Sequence, residues 1–444
     1  MMETDLLMIG GGPGGYETAL YAAGRGLKVV IAEEKELGGT CLNRGCIPTK
    51  SLLHDAAKSA SHNTDLQTEA FQCAMERKQQ VVRGLRQGIT TLLTNSGITL
   101  LQGHATFTDP QTVCVGNETI KAKYIIIATG SRVKMPPLPG IQEPRSPYVF
   151  TSDDLLSIEQ LPSSVCVIGA GVIGLEMATM FHDFGCKVEV VEFLSECLPA
   201  MDREVARRLR KALEKMGVKF HLSCQVKKVS DNEVTYLNTK KNVEECIASD
   251  CILVATGRAP QIEGLHLDIA GVPYNGHGIL VDDHFATAVP HIYAIGDVNG
   301  RQMLAHAATA QGRHAVNHIL GHEDHIRFDI MPAAVFTRPE VASVGLTEDL
   351  AQSQFSNYTV HKGFYRSNGK AQAIEATEGI VKIICDDKQP SAKIIGCHVM
   401  GANAASIVQE VAALMNFGAT LEQLRDIIHI HPTLNEILLQ AANS

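Results

Sequence analysis

The chain of 444 residues predicts an α/β protein with two Rossmann-like dinucleotide-binding domains, and three repeated features carry that expectation. First, a short apolar strand runs into a glycine-rich turn twice. Residues 5–9 lead into Gly10-Gly11-Gly12-Pro13-Gly14-Gly15, and residues 165–168 lead into Gly169-Ala170-Gly171-Val172-Ile173-Gly174. Second, each turn precedes a helical stretch and another apolar strand that ends on a carboxylate, Glu33 or Glu192, in both copies 23 residues past the first glycine. Third, each copy has Ala-Thr-Gly after a further apolar strand, at Ala128-Thr129-Gly130 and Ala255-Thr256-Gly257.

Each part has a physical task. Gly10, Gly12 and Gly15, like Gly169, Gly171 and Gly174, permit a tight turn, close backbone approach to a pyrophosphate and helix–strand contact. The helix that follows points unpaired N–H groups at the phosphate charge. The carboxylate accepts hydrogen bonds from ribose hydroxyls. A single such motif is weak evidence, but two copies with strand, helix and acid in register imply two dinucleotides, as in an enzyme passing electrons between cofactors. Glu192 would repel a 2′-phosphate, and no Arg or Lys follows before Arg203, so the second site favours NAD over NADP.

Composition bounds the rest. The length exceeds what one core usually supports, so two to four domains are expected. With 45% apolar and 20% charged residues the chain is ordinary for a water-soluble protein, and a net charge of -9 argues against nucleic-acid binding. The start, Met1-Met2-Glu3-Thr4-Asp5, is acidic where a signal peptide would be basic, and no apolar run approaches a membrane span. A cytoplasmic location is expected, where twelve cysteines stay mostly reduced and a persistent disulfide is more often catalytic than structural.

Cys41 and Cys46 stand out among those twelve, in Gly38-Gly39-Thr40-Cys41-Leu42-Asn43-Arg44-Gly45-Cys46-Ile47-Pro48-Thr49-Lys50. The spacing alone leaves three readings open: a redox-active disulfide, two buried thiols, or half of a metal site. An ideal helix separates positions five apart by about 7.5 Å, beyond the disulfide range, so pairing requires an irregularity, for which Gly45 is suited. Pro48 suits a first helical turn, which would put Cys46 at a helix N-terminus that favours a thiolate and leave Cys41 as the more accessible sulfur. The ten other cysteines read as core residues, and no metal is expected.

Three further motifs complete the pattern. Residues 287–297 form a strand-like run closing on Gly296-Asp297, either a capped strand or a carboxylate placed to hold a polyol such as the ribitol of FAD. His431 supplies an imidazole able to deprotonate a thiol near neutral pH. Glu436 either orients that ring or, in Thr433-x-x-Glu436, closes a capping box. His429 reads as structural. Residues 404–417 show helical apolar spacing that serves a core or a dimer contact.

Together with Met303-Leu304-Ala305-His306, residues 337–345 and His431-Pro432-Thr433-Leu434-Asn435-Glu436, these motifs resemble the class I pyridine nucleotide-disulfide oxidoreductases over nearly the whole chain, and most of all their dihydrolipoyl dehydrogenase branch. The resemblance implies FAD at the first fingerprint, NAD at the second and an α+β C-terminal domain that makes a homodimer. It implies residues 1–147 with 266–331 as the FAD domain, 148–265 as the NAD domain and 332–444 as the interface domain. Glu33, Thr129, Gly130, Asp297, Ala305 and His306 would serve FAD, with Lys50 beside the flavin and paired with Glu176. Glu192 and Gly257 would serve NAD.

By the same resemblance Cys41–Cys46 is the redox disulfide. The thiol of a dihydrolipoamide, deprotonated by His431 of the other subunit, would attack Cys41 and release Cys46 toward the flavin, with NAD the final acceptor and ping-pong kinetics. His431-Pro432 would be cis. Partners would be lipoyl domains of 2-oxo acid dehydrogenase complexes or the glycine cleavage H protein. Arg44 stands where relatives carry a small apolar residue and leaves open a charge effect on Cys41. Two alternatives remain: a family member acting on another dithiol or disulfide, and a flavin- and NAD-binding protein without turnover.

Overall fold

The computed structural model describes residues 1–60, 67–142, 145–387 and 392–444. The first glycine turn sits in a sheet whose parallel part runs β3 (Thr99–Gln102), β2 (Val29–Glu33), β1 (Met2–Ile9), β6 (Glu118–Ile127). A hairpin of β4 (Ala105–Asp109) and β5 (Thr112–Val115) extends β6 antiparallel. α1 (Pro13–Ala23) crosses from β1 to β2, and α2 (Gly39–Arg44), α3 (Cys46–Ser59) and α4 (Gln67–Asn95) follow β2. Leu7, Ile9, Val30, Ile125 and Ile127 are buried on this sheet, as the near-continuous apolar runs of a parallel sheet covered on both faces require.

The second turn repeats the plan. After β7 (Ser131–Val133), β8 (Val149–Phe150) and α5 (Ser152–Leu155) come β9 (Ser164–Ile168), α6 (Val172–Asp183), β10 (Lys187–Glu192), α7 (Arg203–Met216) and β11 (Lys219–Leu222). Next are the antiparallel β12 (Cys224–Ser230), β13 (Glu233–Asn238) and β14 (Val243–Ala248), and then β15 (Cys251–Val254). The parallel order is β11-β10-β9-β15-β8. It matches the first sheet strand for strand once the chain returns through β16 (Arg258–Pro260), α8 (Leu267–Ala270), β17 (Tyr274–Asn275) and β18 (Gly278–Ile279) to β19 (Ile292–Ala294), which pairs parallel with β6. β16 pairs antiparallel with β7, tying the two units together.

A short 3₁₀ turn at Gly296–Asn299 leads to α9 (Ala305–Ile319), which packs on α1 where Gly14 meets Ala308 and Gly312 meets Thr18. The remainder is a five-stranded antiparallel sheet in the order β20 (Ala333–Val335), β21 (Val341–Gly345), β24 (Lys393–Met400), β23 (Ile380–Asp386), β22 (Tyr358–Phe364). α10 (Glu348–Gln354), α11 (Gly369–Ala373), α12 (Ala404–Asn416), α13 (Leu421–Arg425) and α14 (Glu436–Ala442) complete it. Ile407, Val408, Val411 and Met415 of α12 are buried in its core, so the helical spacing there serves packing.

One apolar cluster runs through all three parts. It joins Leu52 and Ala56 of α3 and Phe71 of α4 to Leu175 and Phe181 of α6 and to Val335, Val341 and Ile380 of the third sheet. Phe71 meets Phe184 edge to face at 5.2 Å between ring centres. α3, which carries Cys46, is therefore held between the two nucleotide units. Among the described residues, no helix is long and apolar enough to cross a membrane.

A buried ion cluster fixes the second unit to the third sheet. Lys382 is 1% exposed, with its Nζ 2.9 and 3.0 Å from the carboxylate oxygens of Asp202, the N-cap of α7, and 2.5 Å from Glu348. Removing one member strands a buried charge, so Lys382→Met is expected to destabilise the protein by about 3–5 kcal/mol in denaturant titration. A loss below about 1 kcal/mol would show that the cluster gives no net anchorage.

Candidate active site

The two glycine turns are built alike down to single hydrogen bonds. Gly10 and Gly169 have φ of +108° and +107°, closed to other residues, and a Cβ on either would strike the carbonyl of Ala128 or Ala255 in the Ala-Thr-Gly segments. Glu33 accepts from Gly11 N at 2.6 Å and Lys35 N at 2.8 Å; Glu192 accepts from Ala170 N at 2.6 Å and Leu194 N at 2.8 Å. Each carboxylate thus braces its turn at the end of its strand. A Cβ on Gly171 would meet nothing within 4 Å, and one on Gly12 only Gly39 Cα at 3.8 Å. The middle glycines leave room for a pyrophosphate at the start of α1 and α6, which is what a dinucleotide needs.

Other residues assigned to the first nucleotide gather around that cradle. Thr129 Oγ1 donates to Gln261 O at 2.6 Å, and Gly130 has φ +73°. Asp297 lies at the 3₁₀ turn after β19, where Ser131 Oγ donates to its Oδ2 at 2.5 Å and Arg258 in turn holds Ser131. Burial pushes the Asp297 carboxyl upward, and an acceptor carboxylate at this place suits a polyol hydroxyl. Ala305 opens α9, and His306 Nε2 donates to Pro332 O at 2.8 Å, which fixes the ring tautomer. Gly257, at φ +112° after β15, edges the second cradle.

The thiol pair sits where α2 breaks. Gly45 interrupts two helices at φ −147°, ψ −113°, and a Cβ there would crowd Thr40 O and Cys41 Cα, so glycine lets Cys46 fold back toward Cys41. α3 starts at Cys46, two residues before Pro48, so Cys46 is its first residue. Both sulfurs are free thiols. Cys41 lies within α2 and Cys46 opens α3. Cys46 is pulled down to about 7 by a hydrogen bond from Cys41 and by the charge of Lys50, one helical turn along, whereas Cys41 is pushed upward by its bond to Cys46 and by burial. Arg44 is paired with carboxylates. Its guanidinium lies 3.5 Å from Glu36 and 3.9 Å from Asp153.

Lys50 and Glu176, 126 positions apart, are brought together: Lys50 Nζ lies 2.9 and 2.7 Å from the oxygens of Glu176. Glu176 lies two residues past the second fingerprint, and its buried carboxylate faces α3 and takes a third bond from Phe336 N at 2.9 Å. Nothing in the local sequence signals the Phe336 contact.

His431 and Glu436 also meet. His431 Nδ1 donates to Glu436 Oε1 at 2.8 Å, and Glu436 Oε2 accepts from Thr433 N at 2.8 Å, so one carboxylate both orients the ring and caps the backbone. The reciprocal half of a capping box is missing, since Thr433 Oγ1 donates to Ile430 O and α14 starts only at Glu436. With Nδ1 engaged, Nε2 is left as the accepting nitrogen of a base. The backbone bond from Thr433 and the bond from His431 hold the Glu436 carboxyl below its usual range. His431-Pro432 is cis. His429 is structural, bonded to Glu410 of α12 at 3.0 Å.

His431 is not joined to Cys41 or Cys46 within the chain. Its side chain is 77% exposed, on the same domain as Phe417 (91%), Ile428 (96%) and Ile430 (79%). Among the described residues, no group of three or more His, Cys, Asp or Glu is placed to hold a metal ion.

Two dinucleotide cradles flanking one thiol pair define a nucleotide-dependent thiol–disulfide oxidoreductase. Residues 4–312 match the family model described as pyridine nucleotide-disulphide oxidoreductase, and residues 331–442 match that family's dimerisation domain. The chain belongs to this family, and its dimerisation domain supports a homodimer. It is 38% identical to dihydrolipoyl dehydrogenase 1, mitochondrial, of Arabidopsis thaliana, over 99% of this chain and 90% of that one. It is 37% identical to dihydrolipoyl dehydrogenase of Chlamydia muridarum (99% and 96%) and 38% identical to leghemoglobin reductase of Glycine max (99% and 87%). Among solved structures, the HOCl-induced flavoprotein disulfide reductase RclA from Escherichia coli matches with a TM-score of 0.89 at 30% identity over 99% of both chains.

Alkylation of the reduced protein by iodoacetamide, read peptide by peptide, is expected to show Cys46 half-reactive near pH 7 instead of the ordinary value near 9. Lys50→Met is expected to move that midpoint upward, because the removed charge favours the thiolate. A midpoint near 9 in the unsubstituted protein would contradict the assignment.

Proposed function

We propose that this protein oxidises dihydrolipoamide to lipoamide and reduces NAD, with Cys41 and Cys46 as the redox pair. The observation that carries the reading is a helix N-terminal thiol of lowered pKa held between two dinucleotide cradles. Likeness to the dihydrolipoyl dehydrogenases supports the substrate. Gly10, Gly12, Gly15, Glu33, Thr129, Gly130, Asp297, Ala305 and His306 would hold FAD, which would supply a two-electron carrier, and Gly169, Gly171, Gly174, Glu192 and Gly257 would hold NAD as the hydride acceptor.

The residues act in sequence. His431 Nε2, from the partner copy of the homodimer, takes a proton from one thiol of the substrate, and Glu436 stabilises the resulting imidazolium. The substrate thiolate attacks Cys41 Sγ, forming a mixed disulfide as the Cys41–Cys46 bond breaks. Cys46 leaves as the thiolate, and its lower pKa makes it the better leaving group. The second substrate thiol, as thiolate, then attacks the mixed disulfide and releases Cys41, so the substrate is oxidised by two electrons and the protein pair is reduced. Lys50 stands beside Cys46 and stabilises its charge.

Lipoyl domains of 2-oxo acid dehydrogenase complexes or the glycine cleavage H protein are the natural carriers of this substrate, and a cytoplasmic location suits a chain rich in free cysteines. A different disulfide as substrate is favoured by one observation, the close match in length and fold to the E. coli disulfide reductase.

NADH formation from NAD with a panel of dithiols, and NADH oxidation with the corresponding disulfides, separate these readings. Dihydrolipoamide is expected to be the best substrate, and faster turnover of another member of the panel would displace it. His431→Gln is expected to lower dithiol turnover by roughly 10²–10⁴-fold while NADH oxidation by an artificial acceptor persists. Equal loss of both activities would remove His431 from the proton transfer.

A further inference from the structure

The segment between β20 and β21 touches α6 at two carboxylates and the redox helix at Lys50. Phe336 N donates to Glu176 Oε1 at 2.9 Å, and the Phe336 ring lies under the Lys50 ammonium, 4.8 Å from Nζ to its centre. Two residues on, Arg338 grips Asp183 with two hydrogen bonds, one of them from Nε to Oδ2 at 2.9 Å. Glu176 and Asp183 are seven residues apart on α6, two turns along one face. Both carboxylates are buried.

Asp183 is in a poor place for a charge. It is the last residue of α6, where the helix dipole disfavours an anion, and its side chain is 1% exposed. Its own neighbour His182 lies 3.3 Å away, but Arg338 provides the paired, planar contact that a buried carboxylate requires. Burial raises the Asp183 carboxyl, yet His182 and Arg338 together bring it below the usual range. Arg338 therefore fixes the segment to one end of this face while Phe336 fixes it to the other. The face between them presents Glu176 to Lys50, and Lys50 is one helical turn from Cys46.

We propose that Phe336 and Arg338 are positioning residues for the redox thiol, a clamp from the dimerisation domain that holds the Lys50–Glu176 pair at a fixed distance from Cys46. The aromatic face attracts the ammonium directly, and the backbone N–H competes for one oxygen of Glu176 so that the carboxylate cannot draw Lys50 away. The same domain that carries His431 thereby also sets the charge beside the thiol in its own chain. The inference rests on Cys46 being the thiol that Lys50 serves, as in the proposed reaction.

The test uses the reduced full-length dimer and the pH midpoint of Cys46 alkylation, with thermal unfolding measured alongside. Phe336→Leu keeps apolar bulk and removes the aromatic face, and Arg338→Met removes the grip on Asp183. Each is expected to raise the midpoint by about one pH unit, a tenfold loss of thiolate at fixed pH below it. Phe336→Tyr and Arg338→Lys restore most of the shift. An unchanged midpoint in both Phe336→Leu and Arg338→Met, with or without a fall in melting temperature, makes the segment merely structural and overturns the proposal. A midpoint near 9 in the unsubstituted protein removes the perturbed thiol itself and overturns both the clamp and the proposed role of Cys46. Because alkylation does not depend on dihydrolipoamide, a wrong substrate assignment would leave the clamp result intact.

Discussion

Glu176 is the point on which the three parts of the molecule converge. It belongs to α6 of the second nucleotide unit, its oxygens are held by Lys50 of the redox helix, and one of them also accepts from Phe336 at the edge of the third sheet. A buried carboxylate cannot remain charged without such partners, and loss of one partner from a buried pair typically costs about 3–5 kcal/mol. The requirement for charge compensation thus forces α3 against α6 and fixes where Cys46 emerges. The apolar cluster through Leu52, Phe71, Leu175 and Val335 supplies the cohesion of this junction, and the ion pair supplies its register.

The repeat explains how one fold holds two different nucleotides. In both units a strand-end carboxylate bonds the backbone N–H just past the first glycine, and both first glycines lie against an Ala-Thr-Gly segment. What differs is the surroundings. After the first unit the chain inserts α2, α3 and the thiol pair, and its return through β19 delivers Asp297 and α9. The second unit has no counterpart to these and is anchored from behind by Lys382 on Asp202. Chemistry is therefore concentrated on one side, and the other unit serves binding.

Legibility from sequence followed range along the chain. Both fingerprints, the carboxylates at 23 residues and the break at Gly45 depend on neighbours within a few positions, and local spacing carried them. His431 and Glu436 were ambiguous because two readings shared one carboxylate; the structure pairs one oxygen with the ring and leaves the other on Thr433 N without a complete capping box. Arg44 turned out to be paired with Glu36 and Asp153, acids that no local pattern connects to it. Contacts such as Phe336 with Glu176, Arg338 with Asp183 and Lys382 with Asp202 join residues 155 to 180 positions apart, and no periodicity reports them.

Differential alkylation of all twelve cysteines tests the central claim most directly, on the FAD-loaded dimer without oxygen, before and after one equivalent of dihydrolipoamide and again after NAD. The account predicts that Cys41 and Cys46 alone change from protected to reactive, and that NAD returns them to the protected state as one equivalent of NADH appears. Protection that stays constant at this pair, or reactivity that moves to other cysteines while NADH still forms, would contradict it.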